Sequence, residues 1–250
     1  MPVLLLKSKG LVKSVKFKDY RYIGDPINAV KIFNDLKADE LVFLDIEASK
    51  QNRLISLDFV KNVGGEANMP FGVGGGIRTI ADIRAILGAG AEKVILNSVV
   101  FKDPEFIKRA SDTFGSSTIV VCLDVKKDYF GRYHLVYKNG CIKYNCSIEE
   151  FVPKVAEFGA GEVIIQAIDR DGTYQGYDIK LLSLVSESIP IPVVALGGAG
   201  NYKDLTEVYY NSNVSAVAAG SVFIYHGVRR AVLINYPSKY EIQKLFKVSK

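Results

Sequence analysis

The sequence is poor in the residues that build metal centres and disulfide frameworks: it has three cysteines and two histidines in 250 residues. So few thiols (Cys122, Cys141 and Cys146) point to a reducing compartment and to free structural cysteines. Cys141 and Cys146 have no Cys or His at ligand spacing, and His134 and His226 have no ligand partners nearby, so neither a metal nor a cofactor is expected. There is no nucleophile elbow and no Cys–His pairing at a strand end, which argues against a hydrolase with its own nucleophile. No apolar run reaches the ~18 residues of a membrane span. The opening Pro2-Val3-Leu4-Leu5-Leu6 has no basic start and stops at Lys7, so no leader is expected and the chain reads as cytoplasmic. Charge of one sign is also scarce. The 32 basic residues exceed the 27 acidic ones by a net +5, and the basic residues are scattered. Nucleic acid and membrane are therefore not the expected partners; a phosphorylated small molecule or an acidic protein fits.

What the chain does have is alternation. Short apolar β-type runs fall at 3–6, 41–46, 71–73, 94–96, 118–123, 163–168, 193–196 and 216–219. Amphipathic helical patterns lie between them at 26–36, 55–63, 80–87, 104–113, 148–158, 179–187 and 203–210. Apolar strands separated by helices predict a parallel sheet buried on both faces. Eight such units in this length predict an α/β fold, a closed (β/α)8 TIM barrel, as a single domain over 1–250. Gly24-Asp25-Pro26 and Asp103-Pro104 read as helix starts. Asn139-Gly140, between alternating segments, reads as a hairpin inserted after the fifth strand.

The chain also repeats itself. Pro70-Phe71-Gly72-Val73-Gly74-Gly75-Gly76 parallels Pro192-Val193-Val194-Ala195-Leu196-Gly197-Gly198, 122 positions on, and at the same offset Glu40 parallels Glu162. A half-chain period implies two similar half-barrels, hence two similar sites on the top face.

Two glycine clusters carry the first chemistry. Gly74-Gly75-Gly76 follows the third strand, with Asn97-Ser98 at the end of the fourth; Gly197-Gly198 pairs in the same way with Gly220-Ser221. Glycines admit a ligand close to the backbone and leave N–H groups free, and a ring of N–H groups with a hydroxyl holds phosphate. The alternative is that they only shape tight turns. Asp124, near the end of strand five, is a candidate general acid or base, or a structural carboxylate. In Ile168-Asp169-Arg170-Asp171-Gly172-Thr173, Asp169 and Arg170 are candidates for a structural pair, and Asp171 for a second catalytic carboxylate or a loop cap.

These residues resemble one family along nearly the whole chain: the cyclase subunit of imidazole glycerol phosphate synthase, HisF. The matching segments include Gly24-Asp25-Pro26, Glu40–Ile46, Val73–Arg78, Lys93-Val94 with Asn97, Phe114-Gly115-Ser116, Gly159–Glu162, Asp169–Thr173 and Gly197–Gly200. The resemblance implies a barrel that takes ammonia from a HisH-like glutaminase subunit docked on its bottom face and uses it at the top on a phosphorylated substrate. It implies phosphate binding at Gly75, Gly76, Asn97, Ser98, Gly172, Gly198, Gly220 and Ser221, and a charged ammonia gate at Glu40, Lys93 and Glu162. The family gate also has an arginine ahead of the first strand, where this sequence begins.

One position departs from the pattern. The family uses two catalytic aspartates. Asp124 matches one, and Leu5 stands where the other belongs. Aligning Val3–Lys7 with Cys122–Lys126 likewise sets Leu5 opposite Asp124. Leucine moves no proton, and general acid–base help is worth ~100- to 10,000-fold in rate. The resemblance, together with the ending over 226–237, then points to a paralogue branch that supplies ammonia to a sugar amidotransferase in bacterial surface-sugar synthesis. The competing expectations are a working cyclase in which Lys7 or Asp171 compensates, a non-catalytic phosphometabolite sensor that activates a glutaminase, and the sister isomerase, against which Leu5 argues equally.

Overall fold

A computed structural model describes residues 1–227 and 229–246. Val228, within the 226–237 ending singled out above, and residues 247–250 lie outside the described residues.

The eight apolar runs become eight parallel strands: β1 (Val3–Lys7), β2 (Leu41–Asp45), β3 (Phe71–Gly74), β4 (Lys93–Leu96), β5 (Ile119–Lys127), β6 (Glu162–Ala167), β7 (Val193–Leu196) and β8 (Ala216–Ala218). Each pairs with the next in chain order. The ring closes where Val3 N–H donates to the Ala219 carbonyl (2.9 Å) and Ala219 N–H to the Met1 carbonyl (3.0 Å). Helices α1 (Pro26–Asp35), α2 (Leu57–Glu66), α3 (Ile80–Gly88), α4 (Phe106–Phe114), α5 (Ile148–Glu157), α6 (Ile179–Ser186) and α7 (Tyr202–Asn211) follow the strands, and α8 (Lys239–Phe246) comes after β8.

The half-chain repeat reaches into the caps. Thr79 and Asn201 lie 122 positions apart, and each forms a reciprocal capping box, with Asp82 and Asp204 respectively, at the start of α3 and α7. Asp25 accepts from Asn28 N–H at 2.9 Å and caps α1 ahead of Pro26, as the Gly-Asp-Pro signal implied. The Asp103-Pro104 signal misplaces its helix: α4 starts at Phe106 without a side-chain cap, and Asp103 instead takes an ion pair from Arg109.

Strand residues alternate between two cores. On β6, Val163 and Ile165 face the helices, while Ile164 joins the apolar filling of the barrel with Val3, Val42, Ile95, Val120, Cys122 and Val194. Several elements escaped the sequence reading, among them the short antiparallel pair Tyr225–His226 with Ala231–Val232. An antiparallel hairpin, Gly10–Val15 with Lys18–Gly24, extends the sheet beyond β1, and α8 was not anticipated. The insertion after β5 is present: Tyr133–Tyr137 pairs with β5 and with Ile142–Lys143, across a turn whose Lys138 and Asn139 are both left-handed. No helix among the described residues is long and apolar enough to cross a membrane.

Candidate functional site

The C-terminal strand ends and their loops enclose one pocket at the top of the barrel. Asp124 and Asp171 line it, as do all nine residues of the two glycine clusters and their partners, and Gly172. Glu40, Lys93 and Glu162 lie at the opposite end of the same strands.

Asp124 is buried at the end of β5. Asn97 Nδ2 donates to its Oδ2 at 3.2 Å and to the Cys122 carbonyl at 2.9 Å. Burial pushes the Asp124 carboxyl up to about 7, against the opposing pull of the Asn97 hydrogen bond. A carboxyl poised there can take or give a proton at neutral pH.

Asp171 comes from the loop after β6, and Ser14 Oγ donates to it at 3.0 Å. Burial raises its pKa too, opposed by Ser14 and by the charge of Lys13. Lys13 is itself buried and donates to the Val3 carbonyl at 2.7 Å. Burial lowers its ammonium to about 8, with the Asp171 charge working the other way. Lys13 and Ser14 reach the pocket from the unanticipated hairpin, and sequence reasoning missed both. The only signal in Gly10–Val15 is three apolar residues around Lys13-Ser14 without alternation, which reads as a loop unless it is paired with the strand that follows.

Leu5 also lines the pocket, in register with Leu44 on β2. Asp45, at the end of β2 beside Leu6, is committed to structure: it accepts from Glu47 and Ala48 N–H (3.0 and 3.1 Å) and holds Arg53 at 2.6 Å. Lys7 turns away, with its ammonium 4.7 Å from the Tyr20 ring centroid, and does not line this pocket. It is therefore removed as a substitute for the missing aspartate. Asp169 and Arg170 do not pair with each other. Asp169 accepts from Lys127 N–H at 2.6 Å, and Arg170 donates to the Gln175 carbonyl.

The glycines have a packing reason of their own. A Cβ on Gly76 (φ +70°) would lie 1.8 Å from the Arg53 carbonyl oxygen, and one on Gly198 (φ +119°) 2.1 Å from that of Gly176. Each half thus brings a neighbouring loop's backbone against its glycine, and no side chain fits. Turn-shaping accounts for the glycine identities, and both glycines line the pocket.

At the floor, Lys93 Nζ bridges Glu40 (3.0 Å) and Glu162 (3.2 Å). Burial disfavours the Lys93 charge, but the two carboxylates outweigh it and raise the ammonium pKa. Burial raises the Glu162 carboxyl, with Lys93 opposing.

The family model for histidine biosynthesis proteins matches residues 1–229. A putative imidazole glycerol phosphate synthase subunit hisF2 from Pseudomonas aeruginosa is 43% identical over 237 residues, 95% of this chain and 94% of the relative. A putative HisF subunit from Leptospira borgpetersenii is 42% identical over 247 residues, 98% of this chain and 97% of the relative. An imidazole glycerol phosphate synthase subunit HisF from Alkaliphilus metalliredigens is 40% identical over 228 residues, 91% of this chain and 90% of the relative.

Proposed function

We propose a function from one premise: the chain belongs to the histidine biosynthesis protein family, as a HisF-like subunit of imidazole glycerol phosphate synthase type. In our reading it docks a glutaminase on the Glu40–Lys93–Glu162 floor and passes ammonia along the apolar barrel interior. It binds a bis-phosphorylated ligand between the two glycine clusters of the top pocket, and it hands the ammonia to a sugar amidotransferase in surface-polysaccharide synthesis. Residues 1–250 act as one domain, in the cytoplasm.

The observation that carries this reading is the pairing Leu5–Leu44 on the pocket wall across from Asp124. A ring-closing cleavage needs protons moved on more than one side of the substrate. This pocket keeps its phosphate-type cradles and one poised carboxyl, and it presents hydrocarbon where the second carboxyl would act. The retained floor ion pairs support continued dealing with ammonia, since a charged cluster of this kind is costly to keep unless its partners stay matched.

The test mixes the chain with the glutaminase of its own genome neighbourhood and the family's phosphorylated ribonucleotide, and follows glutamine hydrolysis together with substrate loss. Glutaminase activation with the ribonucleotide left intact is the expected result. Consumption to the imidazole product would show that Leu5 has been compensated, and would return the chain to histidine synthesis. The buried Lys13–Asp171 neighbourhood is the observation favouring that second reading.

A further inference from the structure

Gln166 is unlike every other polar group in the barrel. It is 5% exposed, it lines the top pocket, and its Nε2 is the one buried side-chain nitrogen or oxygen among the described residues with no hydrogen-bond partner. It sits on β6 with Glu162 and Ile164 below it on the same inward face. In register it lies between Asp124 on β5 and Leu196 on β7. It favours the charged form of Asp171 by a long, weak donation, and no acceptor lies within 3.5 Å in good geometry to satisfy its nitrogen. Gly197 leaves it room, since a Cβ there would lie 3.0 Å from Nε2.

An unpaired buried amide destabilises a fold, and leucine stands at the equivalent place of the other half: Leu44, 122 positions earlier, occupies the same register beside Leu5 that Gln166 occupies beside Asp124. The barrel therefore tolerates an apolar residue here and carries a hydrogen-bonding one. Asn97, Asp124, Gln166 and Asp171 line the pocket from β4 to the loop after β6, while Leu5 and Leu44 line it from β1 and β2.

We infer that Gln166 is a specificity-determining residue of the top pocket. Its carboxamide N–H donates to a carbonyl or hydroxyl oxygen in the middle of a phosphorylated ligand, which lies with its oxygen-bearing edge toward β5 and β6 and its other edge on the leucines. This rests on the phosphorylated-ligand reading above and adds which edge of the ligand is polar and what reads it.

Calorimetric titration with three probes tests it: ribulose 5-phosphate, which carries keto and hydroxyl oxygens; propyl phosphate, which carries none beyond its phosphate; and inorganic phosphate. The wild-type chain should bind ribulose 5-phosphate about 10-fold tighter than propyl phosphate, the worth of roughly one good hydrogen bond to a buried donor. Gln166→Leu should erase that preference, leave the two simple phosphates within about twofold, and raise the melting temperature by a few degrees because the orphaned amide is gone. Gln166→Met, unbranched and of similar length, serves if the leucine does not pack. Loss of preference together with gain of stability is the signature of a group held for a ligand. A wild type that does not prefer ribulose 5-phosphate, or a variant that keeps the preference, overturns the inference. If none of the three phosphates binds the wild type, the phosphorylated-ligand reading itself fails, an outcome distinct from a phosphate site whose middle is unread.

Discussion

The two halves of this barrel share a backbone and differ in chemistry. Both put a glycine against a neighbouring loop's carbonyl, at Gly76 and Gly198; both start a helix with the same capping box; and both place a glutamate on the floor, Glu40 and Glu162. At the top of their first two strands the halves part. The first presents Leu5 beside Leu44, and the second, at matching register, presents Asp124 beside Gln166. Turn geometry is fixed by the close backbone approach at each glycine, and the floor charge by one ion-pair cluster that both halves share, so both features recur. The inward side chains of the pocket differ between the halves with no effect on the strands that carry them.

Restoring symmetry should have the largest effect. Leu5→Asp returns a carboxylate to the first half, and turnover of the family's phosphorylated ribonucleotide with ammonium should rise by ~100-fold or more over the unaltered chain, the usual scale of acid–base help. A variant that folds, binds the ribonucleotide and stays inert would show that the halves differ by more than this carboxylate. Next is the floor, where both halves rely on one cation. Lys93→Met leaves two partly buried carboxylates facing each other and should lower stability by about 3 kcal/mol, read from denaturant midpoints.

A smaller effect separates the halves by pH. Burial raises the Asp124 carboxyl from its ordinary 3.8 to about 7, so its contribution to stability is fully present below about 4 and is lost as the pH rises through 7. Asp124→Asn should flatten the fall in melting temperature between pH 4 and 7, whereas Leu5→Asn, at the matched position of the other half, should leave the slope as it is. The smallest effect is expected at Ser14, whose hydroxyl is a single hydrogen bond to Asp171. Ser14→Ala should cost about 1 kcal/mol and push the Asp171 pKa higher, observable by carboxyl NMR titration.

Much of this was legible in the sequence because it repeats or alternates. Eight apolar runs with helices between them predicted the barrel, and the 122-residue offset paired the glycine clusters. Leu5 was visible because the family resemblance implies an aspartate there, and the comparison with Asp124 across the repeat agrees. The remainder hid in parity and pairing. Gln166 sits inside an otherwise apolar run, and only the inward or outward face of its strand makes it a pocket residue. Lys13 and Ser14 belong to a hairpin whose partner strand, Lys18–Gly24, is mostly exposed and charged, so it carries no buried pattern to detect. The Asp103-Pro104 signal failed because a side chain can cap a helix or pair with Arg109, and the pairing won.

The most direct test of the asymmetric top face is the unaltered chain alone, incubated with ammonium and the family's phosphorylated ribonucleotide while imidazole product is followed. With hydrocarbon at Leu5 and a single poised carboxyl at Asp124, ligand binding without product formation is the predicted result. Sustained imidazole formation at a rate that Leu5→Asp does not improve would contradict the account.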